Sequence, residues 1–193
     1  MTEPSPTNLL PRILKVLNGV YADAVRAHLE YEVFAGVRNK KSLQEFESAL
    51  AHLAAAIVKN DDHEIDHLIS HCQRVACETT EYIAEGYLES IRDRFDPYYN
   101  HPRIARLLLL TKPSFLDAHY ESLREVQDLI AQGRSLKGNQ ANYDECLNAF
   151  KKAVELAKEL DKKTPLSAFG ERLFAVILAL VSLGLGYALG KLL

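Results

Sequence analysis

Residues 173–190 read LFAVILALVSLGLGYALG, a run without one charged side chain that is apolar on every side. A helix packed at the surface of a globular bundle keeps a polar face, and this stretch has none. At ~1.5 Å per residue it reaches roughly 27 Å, close to the ~30 Å hydrocarbon core of a bilayer. Leu, Ile, Val and Phe each favour insertion by about 0.3–0.6 kcal/mol, which outweighs the glycines and the single serine. Lys191 can lift its ammonium into the far headgroups along its own apolar stem. The stretch therefore predicts a membrane-spanning helix.

Lys158, Lys162, Lys163 and Arg172 precede the run and only Lys191 follows it. The positive-inside tendency then places the larger N-terminal part in the cytoplasm, a single-pass, tail-anchored layout. Ser182, Gly186 and Gly190 recur every four residues, with Ala175 and Ala179 earlier at the same interval. A stripe of small side chains lets helix backbones approach closely, so this face suits a helix contact or self-association within the bilayer.

The remaining chain is long enough for one domain. The formal net charge is −3, and residues 165–193 carry +1 (Arg172 and Lys191 against Glu171), so the rest carries −4. A mildly acidic domain is not expected to bind nucleic acid. Cys72, Cys77 and Cys146 lack a zinc-type spacing and read as reduced, packed thiols.

Working back along the chain, apolar periodicity is helical throughout and nothing alternates as a strand does. Residues 1–7 form a loose, Pro/Ser/Thr-containing N-terminus. A first helix is expected over about 8–37, with Leu10, Ile13, Leu17, Val20 and Ala24 inward. Ser42-Leu43-Gln44-Glu45 is a capping-box pattern opening a second helix over about 43–59. Its inward seam is Leu43, Phe46, Leu50, Leu53 and Ile57. The third is expected over 62–95, stopped by Pro97, with Ile65, Leu68, Cys72, Ala76, Ile83, Tyr87 and Ile91 inward. A short helix over 103–111 plugs one end of the bundle. The fourth spans 114–136 (Leu116, Leu123, Val126, Ile130 inward) and the fifth 141–161 (Tyr143, Leu147, Phe150, Val154, Ala157 inward). The fold class is thus all-α: an up-and-down bundle of about five helices over residues 8–163, followed by a transmembrane anchor over 164–193.

Three groups of residues merit a functional reading. His63, His67 and His71 stand four apart on one helical face, a spacing that can share a divalent metal, and Glu64-x-x-His67 matches half of a di-iron bundle motif. The second half is missing, and the histidines lie opposite Ile65 and Leu68, which predicts a face toward solvent or a partner. Arg94 and His101 resemble the Arg-x(4–6)-His spacing of HEPN ribonucleases, although Phe95 stands where a polar residue is usual. That resemblance implies a catalytic Arg94/His101 pair completed by dimerisation. Phe46, Ala49, Leu53 and Ala56, and again Tyr143, Cys146, Phe150 and Ala153, resemble the second helix of a tetratricopeptide repeat, each set preceded by a glycine (Gly36, Gly133). That likeness implies helix-on-helix packing and peptide binding.

No phosphate-binding glycine loop, nucleophile elbow or zinc set is present in the sequence, and no cofactor is expected. The expected function is a non-enzymatic, membrane-anchored helical module that binds or scaffolds a protein partner. A permeabilising effector assembled through Ser182, Gly186 and Gly190 is the alternative, and a HEPN-like nuclease a second one.

Overall fold

The computed structural model describes residues 9–100, 113–163 and 176. Among them every regular element is helical: α1 (Leu10–Val16), a π-helical turn (Leu17–Tyr21), α2 (Ala22–Ala35), α3 (Lys40–Lys59), α4 (Asp62–Asn100), α5 (Pro113–Leu136), a 3₁₀ turn (Gln140–Asn142) and α6 (Tyr143–Lys163). With α1 and α2 taken as one kinked rod, five helices make up the described bundle, and the all-α class is as expected. The expected helix over 103–111 and the anchor over 164–193 lie outside the described residues, apart from Val176. Among those described, no helix is long and apolar enough to cross a membrane.

The central element is α4. Ile65, Leu68, Cys72, Ala76, Ile83 and Ile91 are buried as the periodicity predicts, and Val75, Cys77, Thr79, Thr80, Glu81, Ala84 and Leu88 are buried as well. A helix enclosed on this many sides must be surrounded by others, and α2, α3 and α6 all pack on it. Side-chain pairs fix the directions. Arg12 bridges to Asp62 and Asp66 while the Phe34 ring lies on Gly86 and Tyr87, so α1–α2 runs parallel to α4. Lys41 pairs with Glu78 at 2.6 Å and His52 with Glu64 at 2.7 Å, so α3 runs antiparallel to it. Arg134 pairs with Glu81 at 2.6 Å, at the opposite end of α5 from His119, which feels the charge of Arg94; α5 is antiparallel too. Cys146 meets Cys77 and Asp161 meets Arg94, so α6 is parallel. Each helix thus runs opposite to the one described before it, an up-and-down order.

Several local expectations are corrected. The first helix is not continuous over 8–37: it kinks at Gly19 (φ −107°, ψ −105°), outside the helical basin, and ends at Ala35. Past the kink the inward set includes Val20 and Ala24, but before it Leu9, Ile13 and Val16 are buried, whereas Leu10 is 61% exposed. Gly36 (φ 66°) closes α2 in the left-handed conformation, its N–H reaching the Glu32 carbonyl at 2.9 Å.

The capping box at Ser42 and Glu45 does not form. Asn39 caps α3 instead, accepting the Ser42 N–H at 3.1 Å, so the helix begins at Lys40. Asparagine is as good a cap as serine, and this frees Ser42 to enter the interface, where its hydroxyl meets that of Thr79 at 3.0 Å. The buried face of α3 is Ser42, Ala49 and Ala56, with Phe46 and Leu53 packed beside them. Leu43, Leu50 and Ile57 are exposed instead. Two stripes with the same seven-residue spacing compete on this helix, and the one with small side chains faces α4 because it admits a closer approach. Pro97 does not stop α4, which continues to Asn100. The proline removes one rung of the ladder, its own N–H to the carbonyl four residues back, and the helix runs on past that gap.

In α5 and α6 Leu123, Val126, Ile130, Leu147, Phe150, Val154 and Ala157 are buried as expected and Tyr143 is partly buried, while the side chain of Leu116 lies outside the described residues. The two helices cross at Gly133, where the Phe150 ring occupies the space that a side chain would need. A Cβ at Gly133 would stand 2.6 Å from Phe150 Cε1 and 2.7 Å from Cζ. Phe150 is fully buried and has no room to yield.

Gly133→Ala should therefore destabilise the protein by up to about 2 kcal/mol, because overpacking costs ~1–3 kcal/mol against a ~1 kcal/mol gain in helix propensity. Gly133→Val should cost more. Chemical unfolding of the full chain in detergent micelles, followed by circular dichroism, measures both.

Candidate functional site

Because α2 and α6 run the same way over α4, they border a groove whose floor belongs to α4. One end is polar, about 250 Å³, lined by Asp23, Arg26, Glu30, Lys151, Glu155 and Lys158, with Thr80 beneath. The other is apolar, about 330 Å³, lined by Leu29, Val33, Phe34, Ile83 and Tyr87. Arg26, Glu30 and Lys158 belong to both, so the two cavities are neighbours along one groove. Lys151 reaches Asp23 at 3.4 Å across the polar end. At the apolar end Val33 is 87% exposed and Leu29 55%, side chains more often found covered. An open groove with an apolar floor and charged rims is the shape that accepts an amphipathic helix.

A second cavity of about 260 Å³ lies at the turn between α5 and α6, lined by Gln73, Cys77, Lys137, Asn139, Tyr143 and Cys146 among others. Its cysteines are poor nucleophiles. Burial pushes the Cys77 and Cys146 thiols up and raises that of Cys72 to about 11; a thiol reacts as its thiolate, and these stay protonated. All three are free and buried, as expected of packed thiols. Beside this cavity Glu81, nearly buried, accepts from Arg134 at 2.6 Å and Lys137 at 2.7 Å. Burial alone would raise its pKa, but the two cations outweigh burial and hold the carboxyl below the usual range.

The histidine face is more engaged than the sequence suggests. His63 and His67 are exposed, yet His71 is partly covered and all three belong to a cluster with His52 of α3. His52 is the residue that the periodicity of α4 could not reveal, since it comes from the preceding helix. Its signal is the hairpin itself: folding α3 onto α4 about Asn60 and Asp61 places positions equidistant from the turn side by side, and His52 then meets His67. Among the described residues no three His, Cys, Asp or Glu side chains are arranged to hold a metal ion.

Arg94 donates to the Ser90 carbonyl at 3.2 Å and pairs with Asp161 of α6. This arginine thus ties α4 to α6, and His101 lies outside the described residues. His119 is buried nearby, and burial, then the charge of Arg94, push its imidazole down to about 4. Ser182, Gly186 and Gly190 also lie outside the described residues. The two repeat-like sets differ in their glycines: Gly133 lets Phe150 pack, whereas nothing lies within 4 Å of where a Gly36 side chain would begin, so Gly36 serves the helix end alone. The close-packed counterpart is Gly86, on which Phe34 rests. Compared with protein-family models, with curated proteins and with solved structures, the chain gives no match.

His119 sets a pH dependence. An imidazole near 6.5 when unfolded and about 4 when folded takes up protons preferentially in the unfolded chain. Its contribution is complete above pH ~6.5, declines as pH falls toward ~4 and is absent below, about 3 kcal/mol in all. His119→Gln should flatten the unfolding free energy between those limits, measured by urea denaturation across pH 7 to 4. Equal slopes for both proteins would contradict this role.

Proposed function

We propose that the chain is a tail-anchored membrane protein whose helical bundle binds a protein partner on the cytoplasmic side and has no catalytic role. The observation that carries the reading is the uncharged run over 173–190, long enough for a hydrocarbon core and preceded by Lys158, Lys162, Lys163 and Arg172. The groove between α2 and α6 supports the partner-binding half. It is open, apolar at its floor and ringed by both signs of charge, a surface suited to a helical segment of another protein. The buried thiols, which stay protonated, and Arg94, already engaged by Asp161, favour a binding role over chemistry. Anchoring by residues that closely follow α6 would keep this groove near the bilayer.

A second reading draws on Ser182, Gly186 and Gly190: association of several copies through this stripe could breach the bilayer. Dye release from loaded liposomes separates the two. Scaffolding predicts no release by either the native chain or a Gly186→Leu/Gly190→Leu variant, whereas the effector predicts release by the native chain alone.

Anchoring is tested by alkaline carbonate extraction of membranes from cells expressing the full chain or the chain cut before Pro165. The full chain should stay in the membrane pellet and the shortened one should appear in the supernatant. Extraction of the full chain would remove the anchor and with it the proposed location.

A further inference from the structure

Three imidazoles from two helices lie in one stack where α3 meets α4. The His52 ring sits 4.9 Å from that of His67 and 5.2 Å from that of His71, with planes inclined by only 27° and 22°. His63 meets His67 edge-on at 4.7 Å. Carboxylates flank the stack: Glu64 at 2.7 Å from His52 Nδ1, and Glu45 at 2.6 Å from His71 Nδ1. Each already has a permanent cation, Lys59 at 2.9 Å on Glu64 and Arg74 at 3.0 Å on Glu45. His63 faces Asp66 at 3.8 Å, and Arg12 of α1 bridges Asp66 to Asp62; Asp61 accepts the His63 backbone N–H.

We propose that this stack is a proton-operated latch that holds α3 against α4 when its rings are neutral and releases α3 when they are charged. With neutral imidazoles, Glu45 and Glu64 balance Arg74 and Lys59 charge for charge. One proton is easily accommodated, because an imidazolium stacks well on a neutral ring and a carboxylate lies at hand. A proton on His67, which among the described residues pairs with no carboxylate, then puts like charges face to face about 5 Å apart. Histidine gains its charge between pH 5 and 8, so mild acidification is the trigger. The hydrogen bonds from His52 and Lys59 hold Glu64 down to about 2, so that carboxyl stays ionised throughout.

The helix that the latch controls has a thin apolar attachment, with Phe46 and Leu53 only partly buried. Ser42, Ala49 and Ala56 form its fully buried face, while Leu43, Leu50 and Ile57 point away from the core. Loss of the polar contacts therefore bears heavily on α3, whereas α6 keeps Leu147, Phe150, Val154 and Leu160 in the core. The consequence is exposure of the α4 face that α3 covers, an inference that stands apart from membrane anchoring.

Hydrogen–deuterium exchange on the full chain in detergent micelles at pH 7.5 and 5.0, corrected for intrinsic exchange rates, tests the latch. Protection of α3 relative to α6 should fall at least tenfold on acidification in the native protein. It should fall less than threefold in His67→Gln, whose side chain is exposed and whose replacement leaves the fold intact. His52→Gln, checked for helicity first, should behave alike. Unchanged relative protection in the native protein overturns the proposal, as does a loss shared equally by α6, or a loss that persists in both variants.

Discussion

The constraint on which the bundle depends is the enclosure of α4. Between Val75 and Ala84 this helix exposes little beyond Tyr82, so it carries Thr79, Thr80 and Glu81 into the interior alongside its apolar residues. Each of those polar groups then requires a partner. Thr79 has Ser42, Thr80 has the carbonyl of Ala76, and Glu81 has Arg134 and Lys137. These pairs reach α3 on one side and α5 with its following turn on the other. Apolar burial supplies the attraction, and the polar pairs select the registers at which neighbours can dock.

Close approach is achieved by leaving side chains out. Phe34 sits on Gly86 and Phe150 on Gly133, and α3 presents Ser42, Ala49 and Ala56 to α4. Such contacts rely on backbone proximity and dense packing, and they tolerate added atoms poorly. The same economy leaves larger apolar groups outside, among them Leu43, Leu50 and Ile57 on α3 and Leu29 and Val33 beside the groove. The bundle thus combines a tight interior with apolar side chains at its periphery.

This explains which parts of the fold were legible in the sequence. On α4, α5 and α6 large apolar residues occupy one stripe and nothing competes, so Ile65, Leu68, Ile91, Leu123, Val126, Phe150 and Val154 were placed inward correctly. On α3 the greasier stripe was the outer one, and hydrophobicity alone pointed the wrong way. Local end signals fail for two reasons: Asn39 caps in place of Ser42, and Pro97 removes a single backbone bond from a helix that otherwise continues. The kink at Gly19 leaves the apolar spacing intact while shifting the phase, which is why Leu10 was misassigned. Of the candidate sites, the histidines of α4 were visible from their spacing. His52, Glu45 and the α2–α6 groove arise only when separate helices are brought together.

The shared direction of α2, α4 and α6 has an electrical side. Each helix behaves as though about half an elementary charge sat at either end, positive at its start and negative at its finish. Among the described helices α3 and α5 oppose the other three, so one rod's worth of polarity is left uncancelled. Its negative pole is the pole where α6 finishes, and Lys162 and Lys163 stand in that last turn. The two lysines moderate that pole, making the described bundle a weak bar magnet of charge with one end softened.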